Sequence, residues 1–197
     1  VEIMFDKFGE FDSVEELNAA AEGQKEQGDR EALLELVAEN GIDKEDAEDY
    51  MDGYTDTLAT LSMAAYGRIN IEQKESEKSS NYIEVMIMKV IIDMLKGMCT
   101  DSVMQAAVVK KGKRISHIMD AIKSEASKHK NGNMGIACGT DRELCEIIRA
   151  YYLESDKGFK EKIANLYSGI KDKEEAKKKA SADKKKKAGG KNAKKED

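Results

Sequence analysis

The sequence predicts an all-α protein: a multi-helix bundle around a buried central helix, followed by a disordered lysine-rich C-terminal tail. Three observations carry that reading. First, the 197 residues contain no proline, where ordinary usage would supply about ten. Proline costs about 3 kcal/mol inside a helix, so its absence permits long uninterrupted ones. Second, apolar residues recur three and four apart, and segment 81–98 keeps that pattern for about five turns. Third, glycines at 28, 41, 53, 67 and 112 punctuate the pattern where helices would stop. With 40% apolar and 37% charged residues, the core is modest.

The elements follow in order. Ser13 with Glu16 is a capping box: the hydroxyl accepts a first-turn N–H while the glutamate reaches back to the cap. That helix runs to about Gln27 and stops at Gly28. Asp29 caps a second helix, with Leu33, Leu36 and Val37 on one stripe, ending at Asn40-Gly41. Asp43 opens a third, ending near Gly53. Residues 54–66 read as a fourth, with Leu58, Leu61 and Ala65 on one side and Gly67 as its stop. The polar stretch 69–80 is either a linker or an exposed helix. In 81–98, Ile83, Ile87, Val90, Ile91, Met94, Leu95 and Met98 repeat at helical spacing, while Val85, Met86, Met88 and Ile92 fill most of the remaining circumference. Such a helix belongs at the centre of a bundle. Asp101 to Lys110 is a further helix. Lys113 to His129 follows, with Ile115, Ile118, Met119 and Ile122 inward. A glycine-rich connection over 131–139 leads to a second capping box, Thr140 with Glu143. The helix it opens carries Leu144, Ile147, Ile148, Tyr151 and Leu153. A last helix carries Phe159, Ile163, Leu166 and Tyr167.

This order divides the chain into an acidic N-terminal helical unit (1–68), a polar linker (69–80), a helical bundle (81–169) and a basic tail (170–197). The tail has almost nothing to bury and is expected to be disordered.

The charge is distributed unevenly. Residues 1–80 hold 22 acids and 7 bases, residues 81–170 hold 11 and 14, and residues 171–197 hold 6 and 12. The formal net charge of −6 is therefore what remains of a strongly acidic first part and a basic remainder. Opposed charge of this kind suggests electrostatic recognition. No apolar run approaches the 18 residues of a membrane helix, and no signal-peptide pattern opens the chain. No membrane partner is expected. Three cysteines, an odd number, argue against a disulfide framework and for the cytoplasm.

Candidate sites are few. The run from Asp43 to Gly53 is dense in carboxylates: Asp43, Glu45, Asp46, Glu48, Asp49 and Asp52. It lacks the glycine at position 6 that a calcium loop needs. Carboxylates on rigid helices can instead offer a phosphate-like field to a basic groove. Lys110, Lys111, Lys113 and Arg114 form a compact basic corner suited to a nucleic-acid backbone or an acidic partner. The lysine tail would attract polyanions non-specifically, without aromatic residues for base stacking. His117, His129, Cys138 and Cys145 have no zinc spacing, and Gly132, Gly135 and Gly139 precede no Gly-Lys-Ser/Thr. No acid–base pairing is implied by the sequence. Neither an enzyme, nor a metal site, nor a cofactor is expected.

The run Phe8-Gly9-Glu10-Phe11-Asp12-Ser13-Val14-Glu15-Glu16-Leu17-Asn18-Ala19-Ala20-Ala21 is followed by Gly28-Asp29. Then comes Ala38-Glu39-Asn40-Gly41-Ile42-Asp43-Lys44-Glu45-Asp46-Ala47-Glu48-Asp49-Tyr50. Together they resemble a family of small Cas9 inhibitors from phages and mobile elements, one of the type II-A anti-CRISPR groups. The similarity continues through Ala64-Ala65-Tyr66-Gly67-Arg68-Ile69-Asn70, Lys111-Gly112-Lys113-Arg114 and Ile147-Ile148-Arg149-Ala150-Tyr151-Tyr152, covering about residues 3–153. A proline expected before the last matched helix is missing, and the lysine tail lies outside the similarity. The resemblance implies a non-enzymatic protein in the host bacterial cytoplasm whose partner is the Cas9 ribonucleoprotein. It implies no catalytic residue. With the acidic cluster it suggests occupation of a DNA-binding surface of Cas9. The alternative is a nucleic-acid-binding accessory protein of a mobile element, working through the basic corner and the tail.

Overall fold

A computed structural model describes residues 5–128 and 139–167, together with Lys179. The expected glycine-rich connection as far as Cys138, the lysine tail apart from Lys179, and His129 lie outside the described residues. Among those described, the chain is helical with no strand: α1 (Val14–Glu26), α2 (Arg30–Asn40), α3 (Lys44–Asp52), α4 (Leu61–Glu77), α5 (Tyr82–Met98), α6 (Ser102–Val109), α7 (Ile115–Lys128), α8 (Asp141–Leu153) and α9 (156–167).

Local chemistry sets most boundaries. Ser13 accepts from Glu16 N–H at the start of α1, and Glu16 reaches one residue further back than expected, accepting from Asp12 N–H at 2.8 Å. Asp29 caps α2, and Gly41 leaves it in the left-handed conformation, φ +65°. Thr140 and Glu143 form the reciprocal capping box of α8. Each such cap stabilises its helix by about 1 kcal/mol.

Two boundaries differ from the sequence reading. Residues 54–60 are not helical, because the backbone of Ala59 is taken by a side chain. The Asn18 amide donates to Ala59 C=O and accepts from Ala59 N–H, each at 2.9 Å. Leu58 and Ala59 are buried there, and Thr60 then caps α4. Secondly, Gly67 does not end a helix. It lies inside α4, which runs on to Glu77 with Ile69 and Glu72 buried. Most of the expected linker 69–80 is therefore part of this helix, and the expected boundary at 68/69 falls within it. Gly67 is small for packing: a Cβ there would lie 2.3 Å from the Asn40 carbonyl oxygen.

One continuous hydrophobic core runs from Val14 of α1 to Tyr167 of α9. The helix α4 packs against α2, α5, α6 and α7, while α1, α2 and α3 pack in sequence beside it. Leu33 and Leu36 of α2 are completely buried, each stabilising the fold by about 2 kcal/mol. In α5, Met88, Ile91, Ile92 and Leu95 face inward against α4, α7 and α8. Its burial is on one face and not all round, since Tyr82, Ile83, Met86 and Val90 are exposed. The inward residues expected for α7, α8 and α9 are buried, except Leu153 at the end of α8, which is half-buried, and Tyr167 OH donates to Ile122 C=O, tying α9 to α7.

Candidate functional site

The acidic cluster is carried by α3 and the turn before it. Ala47 and Tyr50, three apart, are buried and anchor this short helix, so the carboxylates are turned to its other sides. Asp43, Glu45, Asp49 and Asp52 are exposed and Asp46 and Glu48 half-buried. Two are partly neutralised: Glu48 by Lys44 one turn away, at 3.1 Å, and Asp52 by Arg30 of α2. Asp43, Glu45, Asp46 and Asp49 form no ion pair among the described residues. Asp43 and Asp46 also line a shallow open cleft whose other wall is Ser62, Tyr66 and Asn70 of α4.

The field extends onto α1. Lys25 donates to the Tyr50 carbonyl and its ammonium lies 4.2 Å from the Tyr50 ring centroid. Burial, then the negative charges of Glu22 and Glu26, hold the Tyr50 phenol above its ordinary value. The carboxylates of Glu22 and Glu26 thus add to burial in disfavouring the phenolate at this contact.

The basic corner is placed differently from the sequence expectation. Lys110 and Lys111 are exposed, but Lys113 and Arg114 are used inside the molecule. Lys113 donates to Tyr151 C=O at 2.7 Å and lies over the Tyr151 ring. Arg114 pairs with Glu10 at 2.8 Å, and its backbone N–H donates to the Tyr151 hydroxyl at 2.8 Å. The acidic groups that meet the corner belong to this chain. Glu10 accepts from Gly112 N–H and Asp12 from Lys111 N–H, both at 3.1 Å.

Arg68 of α4 completes this arrangement. Only 5% exposed, it donates to Glu10 at 2.6 Å and to Val109 C=O at 3.0 Å. The ring of Phe5 lies 4.4 Å from the Arg68 guanidinium and 5.2 Å from that of Arg114. Burial works against ionisation of Glu10, but Arg68, Gly112 N–H and Arg114 together hold its carboxyl below the ordinary value. Four separate stretches of the chain therefore meet here: Glu10 and Asp12, Arg68, Lys111–Arg114, and Tyr151. Sequence reasoning missed this cluster. Arg68 and Glu72, charged and one turn apart on the same face as Ala64, Ala65 and Ile69, were its one visible sign.

Of the remaining polar candidates, His117 Nδ1 lies 2.8 Å from the Tyr151 hydroxyl and Cys145 is a half-buried free thiol. Cys99 is buried, which, with Asp101, raises its thiol to about 11. No group of three metal-ligating side chains occurs among the described residues, and no described helix is long and apolar enough to cross a membrane. Compared with protein-family models, curated proteins and solved structures, the chain matches none.

Proposed function

We propose that this chain is an anti-CRISPR protein of a phage or mobile genetic element that binds and inhibits host Cas9. In this reading α3, with the adjoining acids of α1, occupies a basic nucleic-acid-holding surface of the ribonucleoprotein. Cas9 grips nucleic acid in positively charged channels through backbone contacts. A rigid acidic surface is suited to compete there.

The observation that carries this reading is the set of four carboxylates, Asp43, Glu45, Asp46 and Asp49, held on α3 and its cap with no ion pair among the described residues. The resemblance of the first 53 residues supplies the partner class. The alternative, a nucleic-acid-binding accessory protein, has less to stand on among the described residues, because Lys113 and Arg114 are spent on Tyr151 and Glu10.

The test is cleavage of a target DNA by purified Cas9 with guide RNA, with and without the full chain. A gel shift of the chain alone on DNA runs beside it. Inhibition without a shift is expected, and relief of inhibition by D43N/E45Q/D46N/D49N. Unimpaired cleavage with the parent chain would remove the Cas9 reading. Full inhibition by the folded quadruple variant would remove the acidic face as its means.

A further inference from the structure

Glu72 lies one turn beyond Arg68 on α4 and is 5% exposed. Its Oε2 accepts from Ile115 N–H at 2.6 Å, where α7 begins. Its Oε1 is buried without a hydrogen-bond partner among the described residues, as is the hydroxyl of Tyr152. A carboxylate at a helix N-terminus is favourable, but an ionised oxygen with no donor in the interior is costly. Glu72 is therefore under two opposed demands.

The groups facing it come from every side that carries charge. Arg68 is on its own helix, Arg114 on the α6–α7 corner and Glu10 on the segment before α1. Tyr151 and Tyr152 face it from α8, with Cys99 at the end of α5 beyond Tyr152. The helix α6 has no titratable side chain.

We propose that Glu72 is a proton switch governing the opening of the α6–α7 corner (110–115) and of the N-terminal strap (5–12) clasped to it. The geometry makes the corner the way out. It is joined to the strap through Glu10, Asp12 and Arg114, and Lys110, Lys111 and Gly112 are already exposed. The other walls around Glu72 are packed helices. Burial pushes the Glu72 carboxyl up to about 7, against the downward pull of Ile115 N–H, Arg68 and Arg114. Below that pH the closed corner holds a neutral acid. Above it the carboxylate is charged, and any opening that lets water reach Oε1 is favoured. For a rise from 4.5 to about 7, linkage makes such opening on the order of 100-fold more frequent at pH 8 than at pH 5.

Three backbone amides report on it: Lys111, Gly112 and Ile115, bonded to Asp12, Glu10 and Glu72. Their hydrogen exchange, corrected for intrinsic pH dependence, is measured in the full chain between pH 5 and pH 8. The amides of Leu33 and Ile147 serve as references. In the parent chain, protection at the three falls on the order of 100-fold relative to the references. In Glu72→Gln, which keeps an acceptor for Ile115 but does not titrate, it stays flat. A flat parent profile overturns the proposal. So does a pH dependence that survives in Glu72→Gln, which would assign it to another group. If Glu72→Gln fails to fold, a carboxyl carbon NMR titration of the parent decides. A Glu72 midpoint within a unit of 7, tracked by the Ile115 and Gly112 amide shifts, sustains the switch. A midpoint in the ordinary carboxylate range refutes it.

Discussion

Gly41 and Gly67 meet backbone against backbone. A Cβ on Gly41 would lie 2.4 Å from the Gly67 carbonyl oxygen, and Gly41 also has φ +65°. This contact lets the end of α2 touch α4 directly and fixes how the acidic three-helix unit sits on the rest of the chain. It also places Asp43, two residues later, beside α4.

Gly67→Ala should therefore destabilise the fold by about 2 kcal/mol or more, because the obstructing atoms are backbone and have little room to shift. Gly23→Ala is the control. Gly23 is helical, and a Cβ there would touch nothing within 4 Å, so the change should be neutral or stabilising by up to about 1 kcal/mol. Urea unfolding of the two variants compares them. Equal effects would show that the close approach does not matter.

Arg68→Leu should cost about 3 to 5 kcal/mol, since it strands the largely buried Glu10 carboxylate without its main partner. The Arg68–Glu10 pair has side chains only 6% and 12% exposed. Glu10→Gln should cost less, because a neutral amide can still accept from Arg68. Denaturant midpoints with unchanged slopes would establish that order.

Asn18→Ala should cost about 2 kcal/mol, because it leaves Ala59 N–H and C=O without partners beside buried Leu58. The loss should be local to the α3–α4 connection. Hydrogen exchange at Ala59 rising ahead of that in α7 and α8 would show it.

The pH dependence of stability has two opposed parts. Glu72 is raised from 4.5 to about 7, so the native state binds its proton more tightly than the unfolded chain does. Its contribution is fully present below about 4.5 and is lost as pH rises toward 7, amounting to about 3 kcal/mol. Glu10 is held below its ordinary 4.5, so its contribution is present above that value and lost as pH falls further. Stability should peak near pH 5 and decline toward pH 7 in the parent, with the decline absent in Glu72→Gln. Thermal melts across pH 4 to 8 measure it.

Much of the local structure was legible in the sequence, because the signals for it are local. Ser13, Asp29 and Thr140 cap helices with groups two or three residues away, and Gly28, Gly41 and Gly53 turn the chain through their own backbone freedom. The inward residues of α7, α8 and α9 follow from period alone. The failures have one character. Gly67 looked like a stop, and the threonine-bearing run 54–60 looked like a weak helix. Asn40 and Asn18, residues far away in the chain, decided both.

The amino-acid order alone fixes that this protein is helical, that its acids lie toward the N-terminus and its bases toward the C-terminus, and most of the inward stripe of α7, α8 and α9, though not that of α5. Periodicity, capping and charge counting need nothing beyond neighbouring residues. Tertiary contacts alone turn Lys113 to Tyr151 and Arg114 to Glu10, and leave one apolar face of α5 exposed. They also leave Asp43, Glu45, Asp46 and Asp49 without an ion pair among the described residues. Pairing and burial depend on contacts up to a hundred residues apart, such as Gly112 with Glu10. No local pattern records which of two equally charged side chains will be desolvated.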